Sequence, residues 1–341
     1  MASDKSLIAI TMGDPGGIGG EISIKAWEMR RELSPVFFLL DCPKRIERLA
    51  EKISMNCPIE VISEPGQAIQ VFANSLPVLP LSYQIDTIPG TSNVSDAEAV
   101  IESINLAVKL ARSHKVDGIV TNPIQKETLY QAGFSYPGHT EYLAKIAGTG
   151  RSVMMISSQD LRVVPVTTHL PLGEAIESLK IEDIVHSARI TQQALGDLFG
   201  ISRPRLAVSG VNPHAGEGGF LGLQERQIIE PAVKILQAEG IDIFGPLSAD
   251  SMFHEKARNQ YDAAICMYHD QALIPIKTLA FETSVNVTLG ISIIRTSPDH
   301  GTAMDIAGKG EARADSLIAA IELAGKMASK KQKKFLNEQV R

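Results

Sequence analysis

Residues 7–21 read LIAITMGDPGGIGGE: a short apolar run, a glycine-bearing turn, and glycines leading into an amphipathic stretch. A strand that passes through a glycine loop into a helix is the first half of a βαβ unit, which makes the chain an α/β protein with a mainly parallel sheet. Apolar runs at Val36–Leu40, Gly118–Thr121, Val153–Ile156, Val163–Thr167, Leu206–Gly210, Ala263–Met267 and Val285–Leu289 repeat the strand signal. Helical spacing fills the intervals, notably after Ser95 and Glu98, which form an S-x-x-E capping box, and over Ile184–Phe199 and Leu223–Ala238. Residues 65–92, with scattered Pro, Gly and Ser and no sustained period, read as an irregular excursion.

The same opening stretch invites a dinucleotide site, with a pyrophosphate at the helix N-terminus and Asp41, at the end of the second strand, on a ribose. The spacing argues against it. Gly17-Ile-Gly19 is followed by Gly20-Glu21-Ile22, so the third glycine of G-x-G-x-x-G is missing. A tight turn lining another ligand, or glycines serving packing alone, are the remaining readings.

Three of the eight histidines sit where an apolar run gives way to polar or Gly/Pro-rich sequence: His169 in VTTHLP, His214 in VNPHAGEGG and His269 in MYHDQ. Strand ends are where ligand sites gather in α/β proteins. Neutral imidazole suits divalent transition metals, and three protein ligands plus an open position is a catalytic arrangement. Lys277, Asn286 and Arg295 follow within a short span, offering a compact cation, a neutral donor and a planar fork, a mixture suited to phosphate or carboxylate. Gly138-His139-Thr140-Glu141 adds donors at a helix start, with an ordinary Thr140 cap as the plain reading.

With 341 residues, 44% hydrophobic and 21% charged, the chain can build two domains or one large α/β unit with a cleft. A net charge of −6 excludes a general nucleic-acid binder, and the basic run Lys326–Lys334 reads as a solvated helix end. Three cysteines without CxxC spacing give neither a disulfide framework nor a thiolate zinc site. No apolar stretch is long enough for a membrane span or signal peptide, so a cytoplasmic protein with no membrane partner is expected.

MGDPGGIGGE, PGHTE, TTHLPL, NPHAGEGG, MYHDQALIPIK, VNVTLG and RTSPDHGTAMDIAGKG, in this order, closely resemble the 4-hydroxythreonine-4-phosphate dehydrogenase (PdxA) family of vitamin B6 biosynthesis. The segment from His300 to Lys309 is also similar to the adenine-binding loop of the isocitrate and isopropylmalate dehydrogenases. The resemblance implies an isocitrate/isopropylmalate dehydrogenase-like fold in two domains, residues 1–135 plus 290–341 and residues 136–289, with the active site in the interdomain cleft. It implies that His169, His214 and His269 bind one divalent metal, for which imidazole donors favour zinc or cobalt, with magnesium and manganese as the alternatives. His139, Thr140, Lys277, Asn286 and Arg295 are then implied to hold the phosphorylated substrate, and His300, Gly301, Thr302 and Ala303 the NAD or NADP. A homodimer with a metal ligand supplied across the interface follows from the same resemblance.

The implied reaction is oxidation of 4-phosphooxy-L-threonine to 2-amino-3-oxo-4-phosphooxybutanoate, which decarboxylates to 3-amino-2-oxopropyl phosphate. Asp250, or Asp270 beside His269, is the candidate base, and Lys277 also stands as a catalytic candidate. D-threonate or D-erythronate 4-phosphate is the competing substrate, and a metal-dependent aldolase or hydrolase the more distant alternative. The chain departs from the family where GDPAGIGPE becomes GDPGGIGGE, with Gly16 and Gly20, and where TGP becomes Thr121-Asn122-Pro123. A glycine in place of proline at the helix start is expected to loosen that turn.

Overall fold

The computed structural model describes residues 5–30, 35–134, 136, 139–148 and 150–339; for residues 139–141, 144 and 336–339 the side chains are not described. The chain divides into two compact units, Met1–Ser152 with Ile291–Ser329, and Val153–Gly290 with Lys330–Arg341.

The first unit opens with β1 (Leu7–Thr11), α1 (Gly19–Glu28), β2 (Val36–Asp41) and α2 (Pro43–Lys52). It continues through β3 (Ile59–Val61), α3 (Ala68–Val71), β4 (Leu76–Pro80), α4 (Ala97–Arg112), β5 (Gly118–Thr121), α5 (Lys126–Gln131) and α6 (His139–Ile146). The second unit holds β6 (Val153–Ser157), β7 (Arg162–Pro165), α7 (Leu172–Glu177), α8 (Ile181–Asp197), β8 (Arg205–Ser209) and α9 (Glu230–Ala238). It closes with β9 (Asp242–Leu247), α10 (Glu255–Arg258), β10 (Ala263–Cys266), α11 (His269–Ala280) and β11 (Val285–Leu289). The chain then returns to the first unit for β12 (Arg295–Pro298) and α12 (Asp315–Gln339), whose residues from Lys330 onward count with the second unit.

In the first unit the described strands run in the order β3-β4-β2-β1-β5-β12, all pairs parallel. β1, β2 and β5 are buried along their whole length, as expected of parallel strands covered by helices on both faces. In the second unit the order is β11-β6-β7-β10-β8-β9. Its last three pairings, β7–β10, β10–β8 and β8–β9, are parallel, while β11–β6 and β6–β7 are antiparallel. Ile156, Leu161, Val163, Ala207, Met252, Tyr261, Ala264 and Cys266, from strands and connections of the second unit, share one apolar cluster with Ala272 and Ile276 of α11.

Three sequence expectations are corrected. The Ser95/Glu98 capping box does not form: Asn93 Oδ1 accepts the Ser95 N–H at 3.1 Å, the chain makes a 3-10 turn, and Glu98 instead accepts from the Tyr83 hydroxyl at 3.0 Å. The stretch 65–92 contains α3 and the strand β4, whose sequence LPVLP hides its identity because prolines break the apolar run. The helix read from Leu223 begins instead with a π-helical turn at Glu225–Ile229 before α9.

Candidate active site

Strand register brings two of the three histidines together. β7 and β10 pair in parallel with Pro165 opposite Cys266, and the ladder continues beyond the strands: Val166 N–H donates to the Cys266 carbonyl, and the Thr167 N–H and hydroxyl both donate to that of Met267. Four residues past Pro165 and three past Cys266, the His169 and His269 rings lie 5.9 Å apart between centroids, tilted by 42°. Gln271 braces the edge by accepting the Met267 N–H and donating to the Gly210 carbonyl, both at 2.7 Å. Thr167, His169, Leu172, Ala175, Tyr268 and Asp270 are among the residues lining a cavity of about 260 Å³ here.

The Nδ1 of His269 lies 2.7 Å from an Asp270 carboxylate oxygen. An ionised carboxylate only accepts, so a neutral His269 carries its proton on Nδ1 and its lone pair on Nε2, the state a metal ligand requires. His169 sits in the left-handed region at φ 34°, which a non-glycine residue adopts only when its surroundings hold it there.

His214 is presented differently. From His214 to Gly219 six consecutive residues have positive φ, forming a left-handed turn that includes the non-glycines His214, Ala215 and Glu217. Each such residue costs about 1–2 kcal/mol. The turn is pinned from below by Glu225, which is 2% exposed. Its Oε1 accepts the N–H groups of Val211 and Asn212 at 2.7 and 2.8 Å, and its Oε2 accepts from Asn212 Nδ2 at 2.8 Å. Burial pushes the Glu225 carboxyl upward, but these donors outweigh it and hold the group below its ordinary range. The Asp250 carboxyl is also held low, first by the Ser248 hydroxyl at 2.5 Å and, more weakly, by the field of His214. Asp250 is therefore charged at neutral pH, which makes it an acceptor or a partner for a cation more readily than a proton reservoir.

The donor chemistry fits a divalent transition metal, with two adjacent imidazoles and a third on a loop beside a carboxylate. Within this single chain, among the described residues, no group of three or more His, Cys, Asp or Glu side chains is gathered to hold one.

Among the anion-binding candidates, Arg295 on β12 is 3% exposed, and its Nε and Nη2 donate to the Thr121 hydroxyl at 3.1 and 2.6 Å. Burial pushes its guanidinium down to about 10, which leaves it charged at neutral pH. Lys277 lies half-buried on α11 with its ammonium 5.7 Å from the Phe281 ring centre, and Asn286 on β11 has a buried side-chain oxygen with no hydrogen-bond partner. His139 and Thr140 open α6, but their side chains lie outside the described residues, as does Gly138.

The glycine loop of the first unit is not a ribose and pyrophosphate site built around Asp41. Asp41 is 1% exposed and fully engaged, accepting from Arg45 Nε and Nη2 at 2.9 and 2.7 Å and from the Cys42 N–H. The loop packs against the segment expected to bind the cofactor: Ile18 N–H donates to the Thr302 carbonyl, and the buried Glu21 accepts from the N–H groups of Gly308 and Ala312. Of that segment, His300 is exposed and Ala303 has φ 43°. Gly16 allows a very close approach, since a Cβ there would lie 1.8 Å from the Thr91 carbonyl oxygen. Gly20, in the proline position, faces Leu49 and Arg45, which occupy the space a side chain would need. Asn122 donates to the carbonyls of Thr11 and Gly19 and to the Ser23 hydroxyl, tying β5 to the end of β1 and the start of α1.

Glu225, Gln271 and Thr121 escaped the sequence reading. Only Glu225 carried a visible signal, an acidic residue on the buried side of an otherwise amphipathic helix.

Comparison with known proteins agrees with this architecture. The family model for pyridoxal phosphate biosynthetic protein PdxA matches residues 35–324. The chain is 50% identical over 338 residues to a 4-hydroxythreonine-4-phosphate dehydrogenase of Methylorubrum populi, covering 97% of each. It is similar to the crystal structure of 4-hydroxythreonine-4-phosphate dehydrogenase from Klebsiella pneumoniae, with a TM-score of 0.86, 36% identity and coverage of 95% and 100%. A terephthalate 1,2-cis-dihydrodiol dehydrogenase from Burkholderia xenovorans is more distant, with a TM-score of 0.65, 27% identity and coverage of 94% and 98%. From the first strand to the last helix, the chain belongs to the PdxA family of pyridoxal phosphate biosynthetic proteins.

Proposed function

We propose that the chain oxidises 4-phosphooxy-L-threonine at its secondary alcohol with NAD or NADP, and that the resulting β-keto acid loses carbon dioxide to give 3-amino-2-oxopropyl phosphate. The observation that carries this reading is the His169–His269 pair, with the His269 tautomer set by Asp270, on a chain half identical to named enzymes of this activity. His169, His269 and His214 would hold a divalent metal, zinc or cobalt by their donor type. When bound, such a metal supplies Lewis-acid stabilisation of the charge developing on the substrate oxygen, and the nicotinamide supplies the hydride acceptor.

The chain's own groups bind and orient. Arg295, buried yet charged, Lys277 and Asn286 would take the phosphate and carboxylate of the substrate, with His139 and Thr140 completing the set. His300 to Ala303 would receive the adenine end of the cofactor. Asp250 is the candidate proton acceptor.

A homodimer with the site at its interface belongs to the same reading. Leu170 and Leu172 beside His169, and Phe220, Leu221 and Leu223 beyond His214, are exposed, Phe220 to 90%. Apolar side chains crowding both histidine loops suit burial against a second copy. Among the described residues no helix is long and apolar enough to cross a membrane, and all three cysteines are buried and unpaired, which supports a reducing, cytoplasmic setting.

The deciding experiment offers NAD with 4-phosphooxy-L-threonine and, separately, with the 4-phosphates of D-threonate and D-erythronate. The amino acid ester should turn over fastest; faster turnover of either hydroxy acid ester would overturn the assignment. In the same preparation His214→Ala should fold, lose divalent metal by elemental analysis, and lose activity by about a hundredfold or more.

A further inference from the structure

We propose that Glu225 is a positioning residue for metal capture: its buried carboxylate holds the left-handed turn that presents His214. The inference rests on the reading of His214 as a metal ligand.

The hydrogen bonds of Glu225 go to Val211 and Asn212 rather than to His214. Glu225 grips the turn at both of its supports. At the entry it accepts two successive backbone N–H groups, of Val211 and Asn212, and the Asn212 side-chain amide. In the middle its Oε2 lies 2.7 Å from where a Cβ on Gly216 would be, so the carboxylate occupies the floor of the turn. The exit closes on the same group of residues. Asn212 Nδ2 also donates to Gln224 Oε1 at 2.8 Å, Leu221 N–H donates to the Gly216 carbonyl at 3.1 Å, and a Cβ on Gly222 would lie 2.3 Å from Asn212 Nδ2.

All the groups aimed at Glu225 in these contacts are donors, and a carboxylate is the side chain that accepts at both of its ends. A glutamine would keep one oxygen for the two backbone N–H groups and turn its NH₂ toward another NH₂. The neutral isostere therefore preserves volume and breaks the pattern. With the pattern broken, a turn containing three non-glycine residues at positive φ has every reason to relax to right-handed backbone, which moves the His214 ring. The consequence falls on affinity for metal rather than on the fold, because β8 below the turn is held in the sheet by its own pairings with β10 and β9.

The test compares full-length wild type, Glu225→Gln, Glu225→Ala and His214→Ala, stripped of metal and titrated with Co²⁺, followed by visible absorption and calorimetry. Thermal melting of each apo protein reports the fold. Glu225→Gln is expected to melt close to wild type and to bind Co²⁺ about 10–100-fold more weakly, the usual cost of losing a residue that orients a ligand. Its kcat should fall at limiting Co²⁺ and return toward wild type at saturating Co²⁺, a rescue that a merely structural defect does not give. Glu225→Ala should be weaker than Glu225→Gln. If the Glu225 variants fail to fold, Asn212→Ser removes the side-chain donor to Oε2, together with its bond to Gln224, leaves the two backbone donors to Oε1 in place, and should still weaken Co²⁺ binding.

Co²⁺ affinity within threefold of wild type in folded Glu225→Gln and Glu225→Ala, or in Asn212→Ser where those do not fold, would overturn the proposal. Loss of Co²⁺ in His214→Ala alongside such unchanged affinity sinks the role of Glu225 and leaves the metal site standing. Retention of Co²⁺ in His214→Ala sinks both.

Discussion

The loop at residues 12–18 in the first unit and the loop at 211–222 in the second are built from the same parts to opposite ends. Each follows a parallel strand, precedes a helix, is rich in glycine and is organised by a buried glutamate, Glu21 in one and Glu225 in the other. In the first loop, glycines let backbones approach. Thr91 sits on Gly16, Glu21 reaches Gly308 and Ala312, and Lys25 completes an ion pair with Glu21 at 3.0 Å. In the second, glycines and three non-glycines together make a left-handed turn, and the glutamate holds it through uncharged N–H donors. One loop is a packed foundation, the other a strained mount for a single imidazole. Glycine-rich sequence after a strand therefore announces a close approach or an unusual backbone, and only the partners of its nearest buried carboxylate separate the two.

If the first unit is a foundation, its largest single weak point is the Asp41–Arg45 pair, 2.7 Å apart and 1% and 4% exposed at the side chains. Arg45→Met leaves a carboxylate buried without its partner and should cost about 3–5 kcal/mol in urea unfolding. A loss below about 1 kcal/mol, the range of a surface pair, would break the claim that this region is held by buried charge.

Gly16→Ala comes next. Its added methyl meets a backbone carbonyl, which cannot rotate away as a side chain would, and overpacking of this kind costs about 1–3 kcal/mol. Gly216→Ala is the matched change in the other loop, at φ 79° and against a carboxylate oxygen. It should cost about 1 kcal/mol of stability. Equal losses from the two substitutions, measured in parallel, would erase the distinction between foundation and mount.

Much of this was legible in the sequence, and the reasons are local. Leu7–Thr11, Gly118–Thr121 and Val285–Leu289 match the observed strands residue for residue, the first two because a fully buried strand shows itself as an apolar run and the third through β-branched residues alternating with polar ones. LPVLP did not, because its prolines speak against a strand while its place next to β2, near the edge of the sheet, tolerates them. The meeting of His169 and His269 depends on the pairing of β7 with β10 across about a hundred residues, a register that no local pattern encodes. Glu225 illustrates the other limit. Its importance lies in which N–H groups it accepts, and those become definite only once the turn above it is folded.

Asn122 should show a smaller effect than either glycine substitution. Asn122→Gly, which restores the residue common in the family, removes three donations but also deletes the buried Asn122 Oδ1, which has no hydrogen-bond partner. Loss of the donor and relief of the orphaned acceptor partly cancel, leaving about 0.5 kcal/mol of destabilisation. A stabilised variant would mean that the orphaned oxygen outweighs the three bonds.

The smallest expected effect separates the units by sign. In the first unit, burial raises the Asp14 carboxyl above its ordinary 3.8, with Asp96 adding repulsion while the Gly16 N–H and Arg45 oppose; burial likewise raises Asp96. A carboxyl raised on folding keeps its proton in the native state at a pH where the unfolded chain has lost it. Stability from these two groups is therefore fullest below 3.8 and falls as pH rises through their raised values. In the second unit, burial also opposes charge at Asp262, but hydrogen bonds from Arg205 win and lower it, as the Asn212 and Val211 donors lower Glu225. Those contributions are present above the ordinary values of 3.8 and 4.5 and are lost as pH falls through the lowered ones. Acidification from neutrality should thus relieve β1, α1 and α2 while it loosens β8 and the turn above Glu225. Hydrogen exchange at pH 7 and near pH 3 reads the two regions separately, and Asp14→Asn, which fixes the uncharged form, should flatten the response of the first alone. Parallel loss of protection in both regions would show that the buried carboxylates of the two loops are not electrostatically different after all.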